Sequence, residues 1–202
     1  MKNNINMCYG NYLFKIFVFL LFSLQAKPQS NRCGNDSTEI VWSPNGLVWN
    51  DFTKNIKREK FKTAESVTRI DFCFSLRNDT VFFKTLTYFS KVKSWINDTT
   101  LNTAHLRHEQ THFDITEYYR RRFWEEVKSS CENETDILTA YKRIIFECDR
   151  FQEQYDLQTN HSMNKVMQEK WELIVQDLLC SVAYKTEEIH VMKPICKICW
   201  SL

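Results

Sequence analysis

The sequence predicts an α+β fold: a small, twisted, mainly antiparallel sheet followed by a helical half of the chain. Three observations support this prediction. Apolar and polar residues alternate within residues 40–90, which is typical of strands with one buried face. Apolar residues recur at helical spacing through residues 102–182. The 202 residues include only three glycines and three prolines, which favours long uninterrupted helices.

The predicted strands lie between residues 41 and 89. Residues 41–42 and 47–49 flank the turn sequence Ser-Pro-Asn-Gly, which predicts a short hairpin. Residues 69–76 alternate strictly between polar and apolar side chains. After a turn at Asn78-Asp79, residues 81–89 form a second strand rich in aromatic and β-branched residues.

Three helices are predicted after the strands. They cover about residues 102–130, 136–157 and 165–182, because each stretch lacks glycine and proline and carries an apolar stripe. Polar breaks separate them. We find no internal repeat and no second domain boundary.

The first 26 residues have the composition of an export signal. Lys2 and Lys15 precede an apolar run over residues 16–22, and Ala26 offers a cleavage position. A membrane span needs about 20 apolar residues, so no stable span is expected after cleavage; the alternative is an uncleaved anchor. We therefore predict a signal peptide over 1–26, one domain over 27–185 and a cysteine-containing tail over 186–202, in a secreted or periplasmic protein.

The composition also excludes some classes of function. With 43% hydrophobic residues the chain can build a core, so intrinsic disorder is excluded. The 27 basic and 25 acidic residues leave a net charge of +2. Such a balance gives no electrostatic reason to expect nucleic acid as a partner.

One segment carries a specific chemical signal: His108-Glu109-Gln110-Thr111-His112. Residues four apart lie on one face of a helix, so both imidazoles can bind one cation, at Zn–N distances of about 2.1 Å. The glutamate beside them can take a proton from an activated water without being a ligand. The pattern predicts zinc on His108 and His112, with Glu109 as general base. The alternative is two solvated histidines on an amphipathic helix.

A catalytic zinc site needs a third protein ligand, and helical geometry narrows the choice. At about 100° per residue, Asp114 and Glu117 point away from His112. If the second helix runs antiparallel to the first, the chain returns to the level of the metal near Asp156. The polar break that follows could fold His161 inward, and neutral imidazole suits zinc. His161 is therefore the predicted third ligand, and Asp156 is the alternative.

Further segments surround this motif at characteristic positions. They are Leu47-Val48-Trp49-Asn50-Asp51-Phe52, Ser94-Trp95, Leu106-Arg107, Phe113-Asp114-Ile115, Tyr155-Asp156-Leu157-Gln158-Thr159-Asn160-His161, Gln168 and Trp171. With them the chain resembles, over about residues 42–174, an uncharacterised bacterial family described as predicted secreted zinc-dependent proteases. That family usually has glycine after the late histidine, where this chain has Ser162. The resemblance implies a zincin-like metallopeptidase.

The expected activity is hydrolysis of a peptide bond in a peptide or protein substrate. Zinc would polarise the carbonyl while Glu109 deprotonates the water, and Tyr155 or Tyr118 is the expected donor to the oxyanion. A strand over residues 81–89, if it formed the sheet edge beside the site helix, would hold substrate by strand addition. The competing hypotheses are a non-catalytic exported or envelope binding protein that keeps the same scaffold, and a hydrolase of a non-peptide amide.

Overall fold

The structure is a computed structural model that describes residues 36–54, 64–77, 80–97, 102–130, 133–184 and 189–192. The predicted signal peptide, the turn at Asn78-Asp79 and most of the tail lie outside the described residues. No helix among the described residues combines the length and apolar character that a membrane crossing requires.

Strands occupy the first half of the described chain and helices most of the second, which confirms the predicted α+β class. In chain order the elements are β1 (Glu39–Val41), a 3-10 turn (Trp49–Asp51), β2 (Thr53–Lys54), β3 (Ala64–Glu65), β4 (Thr68–Arg77), β5 (Thr80–Ser90), β6 (Trp95–Ile96), α1 (Thr103–Ser130), α2 (Glu134–Thr159), α3 (Lys165–Ser181) and β7 (Ile189–Met192). The three helices begin and end within two residues of the predicted positions.

The larger sheet is antiparallel throughout and has β5 in its middle. Strand β4 pairs with β5 along its whole length, from Thr68 opposite Phe89 to Arg77 opposite Thr80. On the other edge of β5, β1 pairs with residues 88–90 and β7 with residues 80–83. The condition under which residues 81–89 would hold substrate, that they form a sheet edge, is therefore not met, because β5 lies between β4 on one side and β1 and β7 on the other.

The predicted hairpin over residues 41–49 is also wrong. Strand β1 pairs with β5 instead of folding back on residues 47–49. Gly46 takes a positive φ of 73°, and the next N–H, that of Leu47, donates to Gln110 Oε1 on α1 at 2.7 Å. Leu47 is buried in an apolar cluster with Phe113. Burial against α1 thus replaces the local strand pairing that the turn sequence suggested.

A second, smaller sheet has the order β2-β6-β3. Strand β2 runs parallel to β6, and β3 runs antiparallel to it. Strand β3 therefore lies at one edge of this sheet, and it contacts α1.

Helix α1 is the centre of the domain, since it packs against β4 and β5 and also against α2 and α3. Five of its buried apolar residues belong to the main core: Ile115, Tyr119, Phe123, Trp124 and Val127. Helices α2 and α3 begin at asparagines whose side chains accept from backbone N–H groups, Asn133 from Asp136 and Asn164 from Met167. Such caps satisfy N–H groups that have no partner within the helix.

Candidate metal centre

Three side chains from two helices meet at one point, and we call them the metal cluster: His108 and His112 on α1 and Asp156 on α2. The distance from Asp156 Oδ1 is 3.1 Å to His108 Nε2 and 2.9 Å to His112 Nε2. The two Nε2 atoms are 3.2 Å apart. The expectation that the second helix returns to the level of the histidines near Asp156 is confirmed.

The metal cluster fits a zinc ion in both chemistry and spacing. Imidazole nitrogen and carboxylate oxygen are both zinc ligands, and tetrahedral bonds of about 2.0–2.1 Å put ligand atoms about 3.3 Å apart. The three distances in the cluster, 2.9, 3.1 and 3.2 Å, are close to that value. Three protein ligands leave the fourth tetrahedral position open, as in catalytic sites.

The other side of each imidazole is held by a glutamine and a tyrosine. His108 Nδ1 lies 3.0 Å from Gln168 Oε1, and His112 Nδ1 contacts Gln152 Oε1. The Tyr155 ring stacks on His108, with 4.7 Å between centroids, and meets His112 edge-on at 4.9 Å. Both histidine rings are therefore fixed in the orientation that directs Nε2 at Asp156.

Electrostatics within the cluster favour an ionised carboxylate. Burial by itself would raise the pKa of Asp156, but hydrogen bonds from the protonated forms of His108 and His112 outweigh it and hold the pKa well below its ordinary value. Burial would lower the pKa of His112, but the hydrogen bond and the charge of Asp156 outweigh it, so this pKa is raised. Both shifts show a site that attracts positive charge.

The predicted third ligand, His161, lies beside the cluster and not within it. Its Nδ1 is 3.5 Å from Asp156 Oδ1, and its side chain is 59% exposed. It belongs to a loop of three consecutive residues with positive φ, Asn160, His161 and Ser162. Among the described residues, only His108, His112 and Asp156 form a group that could hold a metal ion. The structure thus brings the alternative, Asp156, into the cluster, and a ligand role for His161 stays a prediction.

A cleft of about 440 Å³ opens over the cluster, and we call it the site cleft. Its walls include Glu109, His161 and the edge strand β3 with the following Ser66. Glu109 is only 5% exposed, and no residue in the described part of the chain hydrogen-bonds its carboxylate. That carboxylate is therefore available to a molecule in the site cleft.

Neither tyrosine that we expected to stabilise an oxyanion lines the site cleft. The Tyr155 hydroxyl is buried and donates to Gln168 Oε1 at 2.8 Å, and burial raises its pKa. Tyr118 lies farther along α1, where its ring packs edge-on against Tyr119 at 5.1 Å. Tyr155 instead supports the two histidines from behind.

The two carboxylates of α1 that helical geometry disfavoured as ligands have other partners. Asp114 Oδ1 accepts from Trp42 Nε1 at 2.7 Å and from Gln110 Nε2 at 2.8 Å. Glu117 is buried between Arg120 and Arg121, with N···O distances of 2.7 and 2.8 Å. We call these last three residues the ion-pair cluster.

Sequence reasoning missed the roles of Gln152 and Gln168 at the site. Gln168 was noted only as part of the family resemblance, and Gln152 gave no signal, because a single glutamine on a helix is ordinarily a surface residue. A scan against models of protein families, and searches of curated proteins and of solved structures, find no match to this chain. The geometry of the site is therefore the basis for the function proposed below.

Proposed function

We propose that the protein is a zinc-dependent hydrolase that cleaves peptide bonds, with the metal cluster as its ligand set and Glu109 as general base. One observation supports this most directly: three zinc-compatible ligand atoms lie within 3.2 Å of one another, in a cleft that Glu109 also lines. Export by the predicted signal peptide, to a secreted or periplasmic location, is part of the same proposal.

The residues of the chain would divide the chemistry between them. His108, His112 and Asp156 would hold the ion, which supplies a Lewis acid for the substrate carbonyl and the attacking water. Glu109 would accept the proton of that water and deliver it to the leaving amine. Its carboxylate suits this role because it faces the site cleft without a hydrogen bond from any described residue.

The edge strand β3 supports a peptide as the substrate. Ala64, Glu65 and Ser66 line the site cleft, and Ser66 Oγ donates to the backbone oxygen of Glu109 at 3.4 Å. Among the described strands, β3 pairs with β6 alone. An extended peptide placed along β3 in the site cleft would run beside Glu109, so we assign to β3 the role that the sequence suggested for residues 81–89.

The first test is the metal content of the purified protein after dialysis against metal-free buffer. We expect about one zinc per chain, as for a single site with three protein ligands. Asp156→Asn should lose the metal and His161→Ala should keep it. The reverse result would restore His161 as the third ligand. A folded wild-type protein that holds no zinc would contradict the proposal.

The second test is hydrolysis of a broad peptide library by the zinc-loaded protein. Glu109→Gln should keep zinc and lose turnover, because the amide cannot accept the proton. Glu169→Gln makes the same chemical change at an exposed position of α3 and should leave turnover unchanged. Retained turnover in Glu109→Gln would contradict the assignment of the general base, and zinc binding without turnover in the wild type would favour the binding-protein hypothesis.

A further inference from the structure

We propose that Gln152 and Gln168 are positioning residues that fix both histidines of the metal cluster with the proton on Nδ1. Each Nε2 then presents a lone pair to the point where the three ligand atoms meet. This inference rests on the proposed metal site and identifies the groups that prepare it for a cation.

Gln168 can take only one orientation, because its two ends have different obligatory partners. Its Nε2 donates to Glu172 Oε1 at 2.9 Å, and a carboxylate paired with a guanidinium, here Arg107 at 3.1 Å, can only accept. The opposite end, Oε1, therefore faces His108 Nδ1 at 3.0 Å. An amide oxygen cannot donate, so the proton of the contact belongs to His108 Nδ1.

The orientation of the Gln152 amide follows from the same reasoning, with different hydrogen-bond partners. Its Nε2 donates to the backbone oxygen of His112 at 3.0 Å and to Thr116 Oγ1 at 3.1 Å. A backbone carbonyl always accepts, so the amide cannot turn around without placing oxygen against oxygen. Its Oε1 therefore faces His112 Nδ1, which must carry the proton.

The position of these protons decides what the Nε2 side of each ring presents to Asp156. With both protons on Nδ1, two nitrogen lone pairs and the carboxylate oxygen of Asp156 face one another within 3.2 Å. Three acceptors at that distance repel one another unless a cation joins them. The glutamines thereby favour a metal ion over a hydrogen-bonded, metal-free arrangement of the histidines.

The chemistry also explains why amides and not carboxylates occupy these positions. A glutamate at position 168 would set an oxygen against Glu172, and one at position 152 would set an oxygen against the carbonyl of His112. The two amides are neutral, so the ligands and their direct supports carry one negative charge, that of Asp156. Fewer negative charges around a bound ion leave it a stronger Lewis acid.

The test uses three glutamine-to-methionine variants, which remove the amide and keep the length of the side chain. Gln152→Met and Gln168→Met should each weaken zinc binding about tenfold to a hundredfold. Binding is measured by competition with a chromophoric chelator. The matched control is Gln158→Met: Gln158 Oε1 accepts from Trp171 Nε1 at 3.0 Å and not from either histidine of the metal cluster. This variant should lose thermal stability without a change in zinc affinity.

Cobalt substitution adds a signature that a purely structural role would not change. The visible spectrum of the Co²⁺ form should shift in Gln152→Met and Gln168→Met, because the basicity and orientation of the ligands change. It should stay unchanged in Gln158→Met. Equal affinities and equal spectra in all three folded variants would overturn the inference.

The tautomers can be observed directly in the wild-type protein, even if a variant fails to fold. Nitrogen-15 spectra of the metal-free protein, at a pH where the rings are neutral, should show Nδ1–H and bare Nε2 for His108 and His112. An Nε2–H tautomer in either ring would overturn the inference. If zinc binds but through Nδ1, this inference fails and the proposed metal site stands. If the predicted tautomers are found and zinc does not bind, the proposed function fails and this inference stands.

Discussion

Helix α1 contributes to two clusters of polar side chains, the ion-pair cluster and, with Asp156 of α2, the metal cluster. The two clusters lie about five residues apart along α1 and are built in opposite ways. In the ion-pair cluster, Glu117 accepts from two arginines and from Thr87 at 2.7–2.8 Å, so its negative charge is paired with positive charge inside the chain. In the metal cluster, two imidazole nitrogens and one carboxylate oxygen lie within 3.2 Å of one another.

This difference suggests that the ion-pair cluster contributes to the stability of the fold and the metal cluster to ligand binding. A buried charge that meets its partners inside the fold makes the fold depend on those partners. A group of ligand atoms that lacks such a match would, under the proposed function, take its cation from solution. We therefore expect changes in the ion-pair cluster to lower the free energy of unfolding, and changes in the metal cluster to lower metal affinity.

The largest expected effect on stability is that of Glu117→Ala. Removing the carboxylate takes away the buried counter-charge that Arg120 and Arg121 share, which should lower the free energy of unfolding by about 3–5 kcal/mol. Urea unfolding of the metal-free protein measures this. Thr87→Val removes only one hydrogen bond to the Glu117 carboxylate and should cost about 2 kcal/mol. If the two variants lost equal free energies of unfolding, the burial of the two arginines would not depend on the charge of Glu117.

Zinc should stabilise the protein nearly as much as Glu117→Ala destabilises it. At a free concentration of about 1,000 times its dissociation constant, a ligand of the folded state alone adds about 4 kcal/mol to the free energy of unfolding. Urea unfolding with and without a chelator gives the increment. It should be the same in Thr87→Val as in the wild type, since the two clusters share no residue. A smaller increment in Thr87→Val would show that they are coupled.

Asp156→Asn should affect binding far more than stability. It removes the only charged ligand, so zinc affinity should fall by more than about 100-fold, beyond the usual effect of a residue behind a ligand. The side chain of Asp156 is 32% exposed, so the free energy of unfolding of the metal-free protein should change by less than about 1 kcal/mol. Chelator competition and urea unfolding measure the two quantities. The control is Asp149→Asn, an exposed aspartate of the same helix, and a similar loss of affinity there would contradict the assignment.

The smallest expected effect is that of Arg143→Ala. Arg143 pairs with Glu126 and Glu147, but its side chain is 47% exposed. Exposed ion pairs contribute less than about 1 kcal/mol, and added salt should reduce this further. Urea unfolding at low and high salt measures the effect. A loss as large as that of Glu117→Ala would show that burial is not what distinguishes the ion-pair cluster.

Local pattern was enough to predict the three helices and the paired strands β4 and β5. The 3.6-residue and two-residue periods record which face of each element is buried, and this information lies within a few neighbouring residues. The same holds for His108, Glu109 and His112. They lie within about one helical turn, so the helix alone fixes their relative positions.

Contacts between distant parts of the chain could not be predicted in this way. The hairpin over residues 41–49 was predicted from a real turn sequence, but burial of Leu47 against α1 competes with strand pairing and prevails. Strand β7 comes from the tail and covers an edge of β5, over 100 residues earlier in the chain. No local period indicates a partner at that distance.

The sequence by itself therefore determined the class of fold, the helix that carries the site, and a pair of histidines suited to one cation. Only the tertiary structure brought Asp156 to within 3.1 Å of both Nε2 atoms and set Gln152 and Gln168 behind the rings. The physical reason is the separation along the chain over which each interaction acts. Helical spacing is fixed by backbone hydrogen bonds within one turn, whereas the third ligand and its supports depend on how α2 and α3 pack against α1.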